Sequence, residues 1–347
     1  MAERVSMSDI AKKMNLSKSA VSLALNGSSS IPEQTRKRVL EVADEMGYVK
    51  NKLVSALMSN IKKNGGEKFS ETIAIINGNQ DEFALQNHPT LPKYYEGIKA
   101  EAKRLGYLIN EFWLHDLRFK NNPLSRVLKS RGIRGGIVLG HSFGTSFPPS
   151  FKSVWENFHF ISVGIKTKSP SLEMVSADHY AITNQATRMA VEMKYKRPGL
   201  IIEEYIDELV DGRFLAGYMR AQMHFAEKDK IPPLTKSHSD SDYASALDCW
   251  IAQNKPDVIL YLMNHTREAL KKSRWYGRIP LIQLEQRTDK GVWVGRMEQN
   301  NDIVGQMAMR RLADMLSRST SKVLENANMV TLVPPTWISS PTKRRLK

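Results

Sequence analysis

Cys249 is the single cysteine among 347 residues. A disulfide within one chain is thereby excluded, and so is a tetrathiolate zinc site. No run reaches the roughly 18–20 apolar residues that a membrane-crossing helix needs, and Met1-Ala2-Glu3-Arg4-Val5 carries no apolar signal core. A soluble, cytoplasmic chain with no membrane partner is the expectation. Neither G-x-x-x-x-G-K-[ST] nor G-x-G-x-x-G occurs, and no Cys/His spacing suits zinc, so no cofactor and no metal is expected. There is no internal repeat of fixed period and no low-complexity stretch beyond the basic tail at 341–347. Negative charge is in the minority, with 36 Asp+Glu against 51 Lys+Arg and a net charge of +15. Such a surplus favours polyanionic partners, though it speaks to encounter and not to fold.

What is present concentrates near the N-terminus. Ser6 and Asp9 have the S-x-x-D spacing of a helix N-terminus, and Ile10, Ala11 and Met14 then give one apolar face. Asn15 suits a left-handed turn and Leu16 plugs the joint. Ser17 is placed to cap a second helix whose Val21 and Leu25 face inward, with Asn26-Gly27 to stop it. Helix, tight turn and second helix make a helix-turn-helix, whose second helix is the one that enters a DNA major groove. A third helix starts at Pro32-Glu33 and buries Val39, Val42, Ala43 and Met46, ending at Gly47. A short helical pattern follows over 51–58.

This segment resembles the N-terminal end of the lactose repressor (LacI/GalR) family. The resemblance rests on Asp9-Ile10-Ala11, Leu16-Ser17, Ala20-Val21-Ser22, Leu25-Asn26-Gly27, Thr35-Arg36, Val39, Gly47-Tyr48, Asn51 and Ala56-Leu57, in order and at the family's spacing. It implies a sequence-specific, homodimeric transcription regulator, more often a repressor, on a palindromic operator in the bacterial nucleoid. By the same resemblance Ser17, Ser22, Asn26 and Thr35 hold phosphates, while Lys18 and Ser19 read base edges. The family often has Arg where this chain has Leu23, which is left either to touch a thymine methyl or to pack. Leu57 matches the hinge-helix residue that wedges into the minor groove. Lys50 replaces the usual Pro.

After a polar linker at 61–71 the pattern alternates strands and helices in two series of similar size, which points to parallel sheets with crossover helices. The fold class expected is an all-α helix-turn-helix headpiece (1–60, with hinge helix 51–58) and an α/β periplasmic-binding-protein-like body (72–340). The body is expected to be two doubly wound lobes with a ligand cleft between them. By analogy one lobe takes 72–171 and 297–325, the other 172–296 and 326–340, with three crossings of the chain.

Family members hold a sugar or purine with an Arg three residues before a Gly, an Asn-Asp pair and an Asp pair. Here Phe214 occupies the first place with Arg213 one residue early. Asn264 is followed by His265, and Glu285-Gln286 replaces the Asp pair, while Asp178 does match the family. The candidate effector set is therefore Asp178, Arg213, Asn264 and Glu285 with Asn79, Tyr94 or Tyr95 from the other lobe, for a carbohydrate by family analogy. Two alternatives stay open. One is a DNA-binding regulator without an effector. The other is a serine hydrolase using Gly140-His141-Ser142-Phe143-Gly144, which matches the G-x-S-x-G elbow but meets Pro148-Pro149 where the following helix should run.

Overall fold

The computed structural model describes residues 7–25, 30–46, 71–120, 123–140, 144–237, 239–285, 293–317 and 329–340. The chain divides into two compact units, one built on Met1–Phe69 and the other on Ser70–Leu316 with Val323–Lys347.

The first unit holds helices α1 (Met7–Met14), α2 (Lys18–Leu25) and α3 (Glu33–Glu45). Asn15 turns the chain after α1 with φ of 52°, a left-handed conformation that Asn tolerates better than most side chains. The amide of Leu16 then returns to the Ala11 carbonyl at 3.0 Å. Ser17 Oγ accepts a 3.1 Å bond from the Ala20 amide, satisfying one of the donors that the first turn of α2 leaves unpaired. Ile10, Val21 and Val39 are fully buried, with Ala11, Ala24 and Ala43 beside them. Met14, Leu16, Leu25, Val42 and Met46 close around that cluster. At roughly 1.5–3 kcal/mol for each large aliphatic side chain buried, one residue per helix holds α2 in place. The expected hinge helix at 51–58 lies outside the described residues, as does the linker.

The second unit contains two sheets. Strands β1 Thr72–Asn77, β2 Leu108–Trp113, β3 Gly135–Leu139, β4 His159–Val163, β5 Glu173–Ala177 and, much later, β10 Val330–Val333 form the first. Their order is β10-β5-β4-β3-β1-β2, and every pairing is parallel. Strands β6 Pro198–Ile201, β7 Val258–Tyr261, β8 Leu281–Gln283, β9 Gly295–Glu298 and β11 Thr336–Ser339 form the second. Their order is β11-β9-β8-β7-β6. That sheet is parallel except at its edge, where β11 lies antiparallel to β9. Parallel strands covered on both faces need continuous apolar runs. β3 and β7 meet that need by being buried at every position.

The lobe boundaries differ from the expected ones. β5 and β10 belong to the first sheet, not to the second lobe, because Ile161 to Val163 align with Glu173 to Val175 and Val330 to Val333 align with Met174 to Ala177. Only β11 of the last segment joins the second sheet. Three crossings between lobes remain, at 177–178, at 299–300 and at Pro334-Pro335. They are tied together: the Asp178 amide donates to the Val333 carbonyl at 2.9 Å. Asn300, left-handed with φ of 54°, donates from Nδ2 to the Pro334 carbonyl at 2.9 Å.

In each lobe two long helices meet backbone to backbone at a glycine. In the first, helix Leu91–Leu105 meets helix Asn301–Ser317. A Cβ on Gly97 would lie 1.9 Å from the Asp302 carbonyl oxygen, and one on Gly305 would lie 2.1 Å from that of Tyr94. In the second, helix His179–Glu192 meets helix Arg213–Gln222, where a Cβ on Gly217 would sit 2.2 Å from the Tyr180 carbonyl oxygen. These helices bury Tyr94, Ile98, Ile182, Phe214 and Tyr218 against the sheets.

Candidate DNA-reading helix and interlobe site

The headpiece turns one face of α2 outward because the other face is taken up by the core. Val21 and Ala24 are buried, whereas Ser17, Lys18 and Ser19 are exposed and Ser22 and Thr35 are half-buried. Leu23 is 43% exposed, so packing does not account for it. Together these side chains present an ammonium, hydroxyl groups at the helix start and one apolar tip. That mixture suits phosphate oxygens, base edges and a thymine methyl. Asn26 and Leu57 lie outside the described residues.

In the second unit the candidate effector residues sort by what already holds them. Asn79 forms part of a run of side-chain turns after β1. Asn77 Oδ1 accepts from the Asn79 amide at 2.9 Å, Asn79 Oδ1 from the Asp81 amide at 3.0 Å, and Asp81 Oδ1 from the Phe83 amide at 2.9 Å. Asp178 caps helix His179–Glu192 through a 3.1 Å bond from the Ala181 amide. Tyr94 is buried, its ring 3.3 Å from where a Cβ on Gly164 would stand. Burial first, and then the Glu285 charge, push its hydroxyl above the ordinary phenol range. Tyr95 is directed elsewhere, since its hydroxyl donates to Glu111 within β2 and Lys99 stands 4.5 Å over its ring.

Glu285, at the end of β8, is 5% exposed. It accepts from Thr90 Oγ1 of the first lobe at 2.9 Å and from Asn301 Nδ2 at 3.3 Å. Among the described residues, ion pairs also span the lobes, Lys93–Glu298 at 3.5 Å and Lys166–Asp211 at 3.2 Å. Arg213, half-buried at its helix start, sits near His179. Burial, and secondarily the Arg213 charge, depress that imidazole to about 3. His179 is therefore neutral, its ring 4.7 Å from that of Phe214. Asn264 is exposed at the start of helix Asn264–Lys272.

Sequence reading did not single out Thr90, Lys166, Asp211 or the pairing of Glu203 with His265. Glu203 is buried two residues beyond β6, and Ser237 Oγ lies 3.5 Å from its other oxygen. The clue was available: His265 stands where the family has an acidic residue, and an acid on the neighbouring strand is the natural partner for an imidazole. Residues 141–143, which carry the central Ser142 of the elbow motif, lie outside the described residues. No helix among the described residues is long and apolar enough to cross a membrane.

Residues 6–51 match the family model described as bacterial regulatory proteins, lacI family. The HTH-type transcriptional regulator MalR of Streptococcus pneumoniae is 26% identical over 222 residues, which cover 64% of this chain and 63% of MalR. The chain thus aligns with under two thirds of that relative's length. Among solved structures, a complex of the transcriptional regulator CelR with cellobiose superposes with a TM-score of 0.55 at 15% identity, over 96% of this chain and 98% of that one. The lac repressor dimer bound to operator and the anti-inducer ONPF gives 0.54 at 15% identity, over 97% and 98%. At such identities the superpositions speak for the fold, a headpiece followed by two α/β lobes of the periplasmic-binding-protein kind. Residues 6–51 thus carry the DNA-binding segment described by the lacI family model, and the whole chain shares the fold of the solved regulators.

Proposed function

We propose that the protein is a dimeric, sequence-specific DNA-binding transcriptional regulator, a repressor, whose operator is palindromic and whose affinity is set by a small molecule held between the lobes. The observation that carries this is the division of α2 into a buried face, Val21 and Ala24, and an exposed one, Lys18, Ser19 and Leu23. Lys18 and Ser19 read bases in the major groove; Ser17, Ser22, Asn26 and Thr35 bond phosphates and set register. Two subunits related by a two-fold axis bring two such helices to the two halves of a symmetric site. Leu57 enters the minor groove at the centre. The place of action is the nucleoid in the cytoplasm, and the protein performs no enzymatic step.

For the effector, Arg213, Asn264 and Glu285 of the second lobe and Tyr94 and Asn79 of the first are the proposed contacts. A carbohydrate is the class, supported by the cellobiose held by the structurally similar CelR. Fluorescence anisotropy on operator fragments, with and without a panel of mono- and disaccharides, tests both parts. A sugar that shifts affinity by about tenfold supports the reading.

A second reading has its own support. Asn79 is engaged in its turn, Asp178 in its cap and Glu285 with Thr90 and Asn301. Cleft groups satisfied by the protein itself suit a regulator that needs no effector. Thermal-shift measurements across the same panel separate the two, since a ligand bound only to the native state must raise the melting temperature.

A further inference from the structure

A cleft of about 590 Å³ opens on the second lobe, away from the interlobe residues, between helices His179–Glu192 and Arg213–Gln222. Its two walls are fixed at one end. Gly217 lets the helices touch, Asn184 Nδ2 donates to the Gly217 carbonyl at 3.1 Å, and Thr183 Oγ1 donates to that of Phe214 at 2.6 Å. The cleft runs along this helix pair and reaches His224 and Phe225 just beyond the second helix. Its size falls within the roughly 300–1,000 Å³ usual for small-molecule sites.

The lining is of two kinds. Tyr180, Asn184 and Arg188 recur every four residues along one wall, and Arg220 and His224 stand on the other. Phe225, Ala221 and Val191 supply apolar surface. Arg220 Nη1 lies 3.2 Å from His224 Nε2, and in that contact the guanidinium is the donor. Among the described residues neither Arg188 nor Arg220 has a carboxylate within 4.0 Å, although Glu192 lies on the same wall. Elsewhere in the body Arg104, Arg134, Arg310 and Arg311 each hold one. Two guanidinium groups that line one open cleft are suited by their chemistry to a planar or tetrahedral oxyanion.

We propose that this cleft is a second ligand site, distinct from the interlobe site, for an organic oxyanion: a phosphate or carboxylate carried on a ring-sized body. Arg188 and Arg220 take the anion, Tyr180 and Asn184 offer further polar atoms, and Phe225 with Val191 packs the body. A free inorganic anion would fill a small part of the volume and leave the apolar wall wet, so the body contributes to binding.

The test uses the full chain and isothermal titration with three probes: phenyl phosphate, benzoate and inorganic phosphate. Saturable binding of phenyl phosphate or benzoate at millimolar concentration or tighter, at least about tenfold stronger than inorganic phosphate, is expected. The stronger of the two identifies the anion. Arg188→Ala with Arg220→Ala should weaken it by about tenfold or more, and Arg188→Lys with Arg220→Lys, which keeps the charge and removes the fork, by a smaller factor. Lys271→Ala with Lys272→Ala, an equal decrease of charge on another helix of the lobe, should leave binding unchanged. Absence of saturable binding by both organic probes up to about 10 mM overturns the proposal. So does equal affinity in the wild type and either arginine variant, with folding checked by circular dichroism.

Discussion

Thr90 of the first lobe donates a 2.9 Å hydrogen bond to Glu285 of the second. The carboxylate it reaches is buried and is shared with Asn301. One charged group therefore joins a helix start in one lobe to a strand end in the other and to the helix that returns from the second crossing. A hydrogen bond to a charged group contributes about 1.5–3 kcal/mol, more than one between neutral partners. Thr90→Val should lower the melting temperature by a few degrees and should weaken the coupling between the lobes. Glu285→Ala should do more, because it leaves both donors unpaired. A double-mutant cycle in thermal unfolding checks the pairing; additive effects would show that the two residues act independently.

Gly217→Ala should be among the most damaging single substitutions in the second lobe. The added Cβ would stand 2.2 Å from the Tyr180 carbonyl oxygen and 2.4 Å from Thr183 Oγ1, and backbone cannot yield there as a side-chain tip would. Overpacking costs about 1–3 kcal/mol and sometimes more. Ala216→Ser, on the exposed side of the same helix, should change little. Chemical denaturation of the two variants compares them.

Acid should weaken the body through His179. In the folded chain the imidazole titrates at about 3, against roughly 6.5 when unfolded. Between those values the unfolded chain binds a proton that the folded chain refuses, so stability falls as pH drops from about 6.5 toward 3 and is unaffected by this group above that window. His179→Phe should flatten the profile between about pH 6.5 and 4.5, measured as melting temperature against pH. Below about pH 4.5, the ordinary carboxylate range, Glu101 adds to the decline in both proteins. Its carboxyl is held down to about 2, chiefly by the Arg104 hydrogen bond, with Arg310 assisting, so its stabilisation goes as the pH falls through that range.

The three helices between residues 7 and 46 are readable from the sequence, for a local reason. Ser17, Asn15 and the Val21 to Leu25 spacing each act within a few residues, so cap, turn and buried face follow from neighbours in the chain. The parallel strands β1, β3 and β7 are equally plain as apolar runs between helical patterns. β5, β9 and β11 escape such reading because polar residues break their apolar runs and they owe their place to distant partners: Trp337 of β11 fills the space that Gly295 of β9 leaves empty. The interlobe residues are half readable. Glu285 stands out by its position after a strand, but Thr90 and Lys166 come from loops whose partners lie 195 and 45 residues away, and no local pattern announces such a bond.

Lys18→Ala should relax preference at one base pair in each half-site, because a good base-edge pairing contributes about 1–3 kcal/mol of discrimination. Selection from randomised operators, compared as sequence profiles for wild type and variant, checks it; identical profiles would remove Lys18 from base reading. Ser17→Ala should instead weaken binding evenly across sequences and cost the headpiece about 1 kcal/mol of helix stability through removal of the cap.

Recovery of bound fragments from a genomic DNA pool by the purified full chain tests the insertion of α2 into DNA most directly. Enrichment of a two-fold symmetric motif, with its half-site profile altered by Lys18→Ala, is the predicted result. Retention of fragments with no shared palindrome, even in dilute buffer and with candidate metabolites present, would contradict it.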